Sequence, residues 1–131
     1  MSAILNNTMR ATRRDRFALT VDDQARHWLE ERPQATRLFI SYMSSLACCS
    51  GARVCDVRVR LDADMSQRDA RGASWVALGV VNGREVMIDS RLVDRMPAHL
   101  RFVQRGIGPF RHLDLDLSGE QWADVLYPVA R

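Results

Sequence analysis

The chain has 131 residues, of which 47% are hydrophobic and 27% charged, and all nineteen of its basic residues are arginine. That length supports one domain with its own core, and no apolar run approaches the roughly 18 to 20 residues that a membrane helix needs, so a membrane-spanning helix is not expected. The formal net charge of +3 arises wholly in the first nineteen residues, where Arg10, Arg13, Arg14 and Arg16 face only Asp15; from residue 20 onward fifteen Arg balance fifteen Asp and Glu, which speaks against a nucleic-acid surface.

Residues 1–19 read as a flexible basic arm, with residues 20–131 as the single domain. The first nine residues lack a basic segment leading into an apolar one, so no secretory signal is expected and the chain is assigned to a reducing cytoplasm. The exclusive use of arginine fits the codon usage of a GC-rich bacterial genome. Structure is expected to begin at Thr20, a helix cap with Asp23 completing a box-like pattern. Val21, Ala25, Trp28, Leu29 and Arg32 recur at helical spacing, and Pro33 stops the helix. His27 stands on its flank with no second ligand three or four residues away, and is expected at the surface.

Residues 36–43 are rich in β-branched and aromatic side chains and read as a strand. A second strand, residues 54–61, alternates strictly: Cys55, Val57, Val59 and Leu61 on one face, Asp56, Arg58 and Arg60 on the other. Core packing is the expected role of Cys55. Residues 62–72 are polar and unpatterned, a loop able to gate whatever lies nearby; Asp62, Asp64 and Asp69 lack the glycine and closing glutamate of a calcium loop. Two apolar-rich strands, residues 73–81 and 84–89, meet at Asn82-Gly83, a strong hairpin signal. Residues 90–97 read as a connection or single helical turn. Two more strands, residues 99–104 and 110–117, flank Gly106-Ile107-Gly108-Pro109. In the last, Leu113, Leu115 and Leu117 point inward and His112, Asp114 and Asp116 form an outward row, read as a solvated face with hard-metal binding as the sharper alternative. Trp122, Val125, Leu126 and Tyr127 read as a short turn or helix packed on the sheet. The fold class is thus α+β: a small mixed β-sheet or sandwich domain of about six strands with a short N-terminal helix.

Chemistry concentrates in Leu46-Ala47-Cys48-Cys49-Ser50-Gly51, between the first two strands. Three cysteines, an odd number in a reducing compartment, argue against a structural disulfide framework and for thiol or metal chemistry. Cys48 and Cys49 can act as a vicinal redox pair, whose strained eight-membered disulfide ring would be readily reduced. Arg53 or the amides of the Ser50-Gly51 turn could lower a thiol pKa. Alternatively, Cys48 and Cys49 of two chains could present four thiolates to one zinc ion or one [2Fe–2S] cluster across the two-fold axis of a homodimer. A third reading is a non-catalytic interaction module. No Ser-His-Asp, Cys-His or phosphate-loop pattern accompanies the thiols.

The order of parts, with Cys49-Ser50-Gly51 in a glycine-bearing loop and Asn82-Gly83-Arg84-Glu85-Val86-Met87-Ile88-Asp89-Ser90 as a hairpin strand ending in aspartate, resembles the HesB-like family, which includes the A-type iron-sulfur carriers. The resemblance spans residues 19–117 and implies a small mixed β domain. The carriers' C-terminal Cys-Gly-Cys pair has no counterpart after Cys55, so the chain looks closest to the HesB-like branch with a Cys-Cys, in some members Cys-selenocysteine, motif in that loop. Of the family's functional positions only Cys48 and Cys49 carry over, and the resemblance implies a redox or metal role. The partners expected are a second copy of the chain or a thiol or metal-delivery protein.

Overall fold

The computed structural model describes residues 17–46, 53–62, 65 and 74–127. Among these described residues seven strands and two α-helices follow one another as β1 (Ala18–Val21), α1 (Asp23–Glu30), β2 (Arg37–Leu46), β3 (Arg53–Leu61), β4 (Trp75–Val81), β5 (Arg84–Asp89), β6 (His99–Arg105), β7 (His112–Leu115) and α2 (Gly119–Leu126). The strands form two mixed sheets, ordered β1-β6-β7 and β3-β2-β5-β4. The fold is α+β, as expected, with one strand more than the alternation revealed.

That extra strand is β1, and it moves the start of the domain. Thr20 is a strand residue paired in parallel with Arg101 of β6, and Phe17 before it is buried. The folded part therefore begins within the stretch assigned to the arm. Helix α1 starts later than expected: Asp22, not Thr20, is its cap, accepting from the Ala25 amide at 2.7 Å. Ala25, Trp28 and Leu29 are its buried face, in keeping with the helical spacing.

Both sheets bury one face in a common core. Leu38 and Ile40 of β2, Val86 and Ile88 of β5, Leu100 and Phe102 of β6, and Leu113 and Leu115 of β7 belong to it, joined by Leu29 of α1 and Val125 of α2. Fully burying side chains of this size stabilises the fold by about 1.5–3 kcal/mol each. β2 is covered on both faces, since Phe39 on its outer side is also buried, its ring meeting Trp75 edge-on at 5.0 Å between centroids. The β4–β5 turn forms as expected, with φ of 49° at Asn82 and 76° at Gly83, the pair of positive values that a type I′ turn requires.

Arg84 opens β5 and is almost wholly buried without a carboxylate. Its guanidinium donates to the carbonyl oxygens of Ala35 at 2.9 Å, Asn82 at 2.9 Å, Leu29 at 2.6 Å and Arg32 at 3.2 Å. Leu29 lies in the last turn of α1, where the carbonyl ends of the helix carry partial negative charge, so a buried cation is compensated there by dipoles; the Leu29 carbonyl also accepts from the Arg32 amide at 2.9 Å. One side chain thus ties the helix end to the hairpin turn. At the chain's other end, Ser118 and Gln121 cap α2 reciprocally, the Ser118 amide donating to Gln121 Oε1 at 2.9 Å and the Gln121 amide to Ser118 Oγ at 3.2 Å. The tail expected to be a turn or helix is this helix, with Val125 in the core.

Candidate functional site

β2 and β3 pair antiparallel without interruption from Leu38 opposite Leu61 to Leu46 opposite Arg53. The six residues between those ends contain Cys48 and Cys49, which lie outside the described residues. What the structure supplies is the base of their connection: β2, an inner strand of its sheet, leads to it, and the antiparallel neighbour β3 leads away from it. Cys55 stands in β3 opposite Ser44. The alternation around it holds where side chains are described, with Val57 and Leu61 buried, Val59 packed on the core and Arg58 exposed. Most of the polar loop at 62–72 is likewise outside the described residues, but its first member is anchored: Asp62 accepts from the Thr36 hydroxyl at 2.7 Å and amide at 3.3 Å.

The histidines have local partners. His99 Nε2 bonds Thr20 Oγ1 at 3.0 Å across the β1–β6 pair, and His27 is exposed, 3.9 Å from Glu30. His112 Nδ1 lies 2.9 Å from the Phe110 carbonyl. A carbonyl can only accept, so Nδ1 carries the proton and Nε2 of the neutral ring is an acceptor. Leu113 and Leu115 point into the core, and the outward row is a solvated face: Arg105 of β6 pairs with Asp114 at 3.3 Å and Asp116 at 3.8 Å. Among the described residues no group of three or more His, Cys, Asp or Glu could hold a metal ion.

A polar cluster that the pattern did not reveal forms where β5 ends. Asp89 is almost completely buried, and its carboxylate accepts from the Arg91 amide at 3.0 Å, from Arg91 Nε at 3.0 Å and from Arg91 Nη2 at 2.7 Å. Burial by itself raises the carboxyl pKa, but the Arg91 side-chain and main-chain hydrogen bonds, with the charges of Arg91 and Arg95, outweigh it and hold Asp89 below the ordinary carboxylate value. The Arg91 guanidinium also donates to the Tyr42 carbonyl at 3.3 Å and lies 4.7 Å from the centre of the Tyr42 ring. Arg95 lies 5.6 Å from the same ring and donates to the Val125 carbonyl at 3.2 Å. A carboxylate held ionised by a permanent cation cannot serve as a general acid, so the cluster anchors. It fastens β2, four residues before its end, to the β5–β6 connection and through it to α2. The legible signal was an aspartate ending a strand two residues before an arginine, an Asx-turn pattern.

A cleft of about 520 Å³ opens where the edges of the two sheets face each other, lined by Asp56, Val57, Arg58, Val59 and Arg60 of β3 and by His112, Leu113 and Asp114 of β7. Arg58 Nε sits 2.6 Å from Asp56. Among the described residues no helix is long and apolar enough to cross a membrane. A scan against protein-family models finds no match to this chain, and no curated protein matches it.

Proposed function

We propose that the chain is a small HesB-like thiol protein whose vicinal pair, Cys48 and Cys49, cycles between dithiol and disulfide in a reducing cytoplasm. The observation that carries this reading is the β2–β3 register, which encloses both cysteines in one six-residue connection between the paired residues Leu46 and Arg53. The order of helix, strand, thiol connection, strand and Asn-Gly hairpin ending in Asp89 supports the family reading. Oxidation removes two electrons and two protons from the pair and forms one S–S bond; a low-molecular-weight disulfide accepts both and leaves as two thiols. The Asp89–Arg91–Tyr42 anchor gives the connection a firm base, so the strain of a vicinal ring remains local to it.

The test is intact mass and peptide mapping of protein purified anaerobically without chelator, before and after a mild disulfide oxidant. A metal-free chain that loses two protons, with Cys48 and Cys49 protected from alkylation together, is the expected result. Zinc, or iron with sulfide, bound by a dimer through these thiols would replace the reading with shared metal binding. Both thiols still alkylatable after oxidant would overturn it.

A further inference from the structure

A lone apolar side chain on a surface needs no explanation, but two on one protrusion do. In the turn that joins β6 to β7, Ile107 is 87% and Phe110 78% exposed, the highest values for large hydrophobic side chains among the described residues. They stand at either end of a tight turn that the Phe110 amide closes on the Ile107 carbonyl at 3.2 Å. The chain on both sides of it, residues 74–127, is described throughout.

The turn is rigid, and its carbonyls are largely satisfied. Gly106 has φ of 87°, and a Cβ there would collide with the Phe110 carbonyl oxygen, so only glycine lets the chain close so tightly. The Arg105 and Gly106 carbonyls accept from Gln104 Nε2 at 2.8 and 3.1 Å, and the Gly108 carbonyl from the Arg111 amide at 3.3 Å and Nε at 3.2 Å. The Phe110 carbonyl accepts from His112 Nδ1 at 2.9 Å, and Pro109 has no N–H to satisfy. Carbonyls paired in this way can leave water without becoming orphaned acceptors. Charge favours one sign here: His99 to Leu113 holds three arginines and no carboxylate. Arg111, beside Phe110, has no ion pair among the described residues. The partners of Arg105, Asp114 and Asp116, stand further along the chain from the tip.

We infer that the β6–β7 turn is a peripheral docking tip for an anionic lipid surface: Ile107 and Phe110 enter the boundary between headgroups and acyl chains, and Arg105 and Arg111 meet the phosphates. Cations placed just behind apolar side chains match that boundary, because guanidinium groups stay with the headgroups while apolar groups pass below them. Two side chains on a protrusion demand no shaped hole, and a fluid interface supplies none. The contact is reversible, since its apolar area and charge fall short of what stable anchoring requires. It does not rest on the thiol reading. Ala18 pairs with His99, at the end of β6 away from the tip, so the basic arm joins the domain elsewhere and its contribution to lipid binding is separable.

Vesicle co-sedimentation of the full chain under reductant tests it, with phosphatidylglycerol in phosphatidylcholine set against phosphatidylcholine alone. The wild type should bind the anionic vesicles, and less tightly as salt rises. Ile107→Ser and Phe110→Ser should each weaken binding about tenfold and Arg111→Gln about fivefold. Melting temperatures should not move, because all three side chains are exposed. Phe110→Trp should keep the binding and be quenched by lipid brominated near the headgroup, beyond the quenching of the native tryptophans. A wild type that binds neither vesicle would overturn the inference and leave an apolar pocket of a partner protein as the occupant of the tip. Binding that survives in I107S/F110S would overturn it too, by assigning the lipid contact to the arm, as would equal binding to both vesicles or an unquenched F110W.

Discussion

The two seams where the sheets approach one another are built on opposite plans. At one, β1 lies against β4. There Gly79 adopts φ of +152°, and a side chain on it would meet Leu19 Cδ1 at 3.2 Å, so the apolar chain of Leu19 closes the gap over a backbone that has no Cβ. At the other, β3 and β7 also lie against one another but leave between them a cleft of about 520 Å³ lined by Asp56, Arg58, Arg60, His112 and Asp114 as well as Val57, Val59 and Leu113. Charged side chains keep their hydration and do not interdigitate as leucine does, so that seam stays open. The first seam is thus sealed by apolar packing, and the second keeps a hydrated cleft.

Substitutions can break or sharpen this contrast. The largest effect is expected just after the β4–β5 turn: Arg84→Met removes a buried donor from four carbonyl groups, of which those of Leu29 and Arg32 keep main-chain bonds, and should cost about 3 kcal/mol, read as a fall in melting temperature on the order of 10 °C. Gly79→Val adds backbone strain at a left-handed position to a collision with Leu19, and should cost about 2 kcal/mol in denaturant unfolding. An unchanged midpoint there would mean the seam is not closed by packing.

Asp89→Asn should cost on the order of 1–2 kcal/mol at neutral pH, because it removes a charge-assisted acceptor from a buried site. The sign with pH follows from the lowered pKa of Asp89. Stability from the ionised group is present above the unfolded-state carboxylate value and is lost as pH falls through the lower folded value. The gap between wild type and D89N in urea unfolding should therefore close in acid, and a gap that widened would contradict the anchor. At the cleft, Asp114→Asn weakens a part-exposed pair with Arg105 while the amide oxygen can still accept from the Leu115 amide as Asp114 does, and should change stability by well under about 1 kcal/mol. A thermal melt resolves the difference from Arg84→Met without ambiguity.

Elements whose pattern is local were legible. The alternation of Val57, Val59 and Leu61 predicts β3, Asn82-Gly83 predicts its turn, and Ala25, Trp28 and Leu29 predict the buried face of α1. β1 was not, because four residues, Ala18–Val21, are too few for an alternation to register, and its pairing partner β6 lies some eighty residues away. The cap was displaced by two residues for the same reason: Thr20 and Asp22 are equally good caps in isolation, and only the parallel pairing with β6 makes Thr20 a strand residue. Of the thiol site, the sequence supplied the residue types and the register of β2 and β3 their mounting.

By itself, then, the sequence determined which residues could be strands and helices, where the strongest turn falls, which side of β3 and β7 would face the core, and that two adjacent thiols stand at Cys48 and Cys49. Each of these depends on the period of a side chain along a backbone or on the chemistry of one residue. Tertiary structure alone decided that Arg84 is buried among carbonyls, that Arg91 neutralises Asp89 beside Tyr42, and that the edges of β3 and β7 meet around a cleft. Those outcomes depend on which distant backbone groups arrive beside a given side chain, and no periodicity along the chain encodes that meeting.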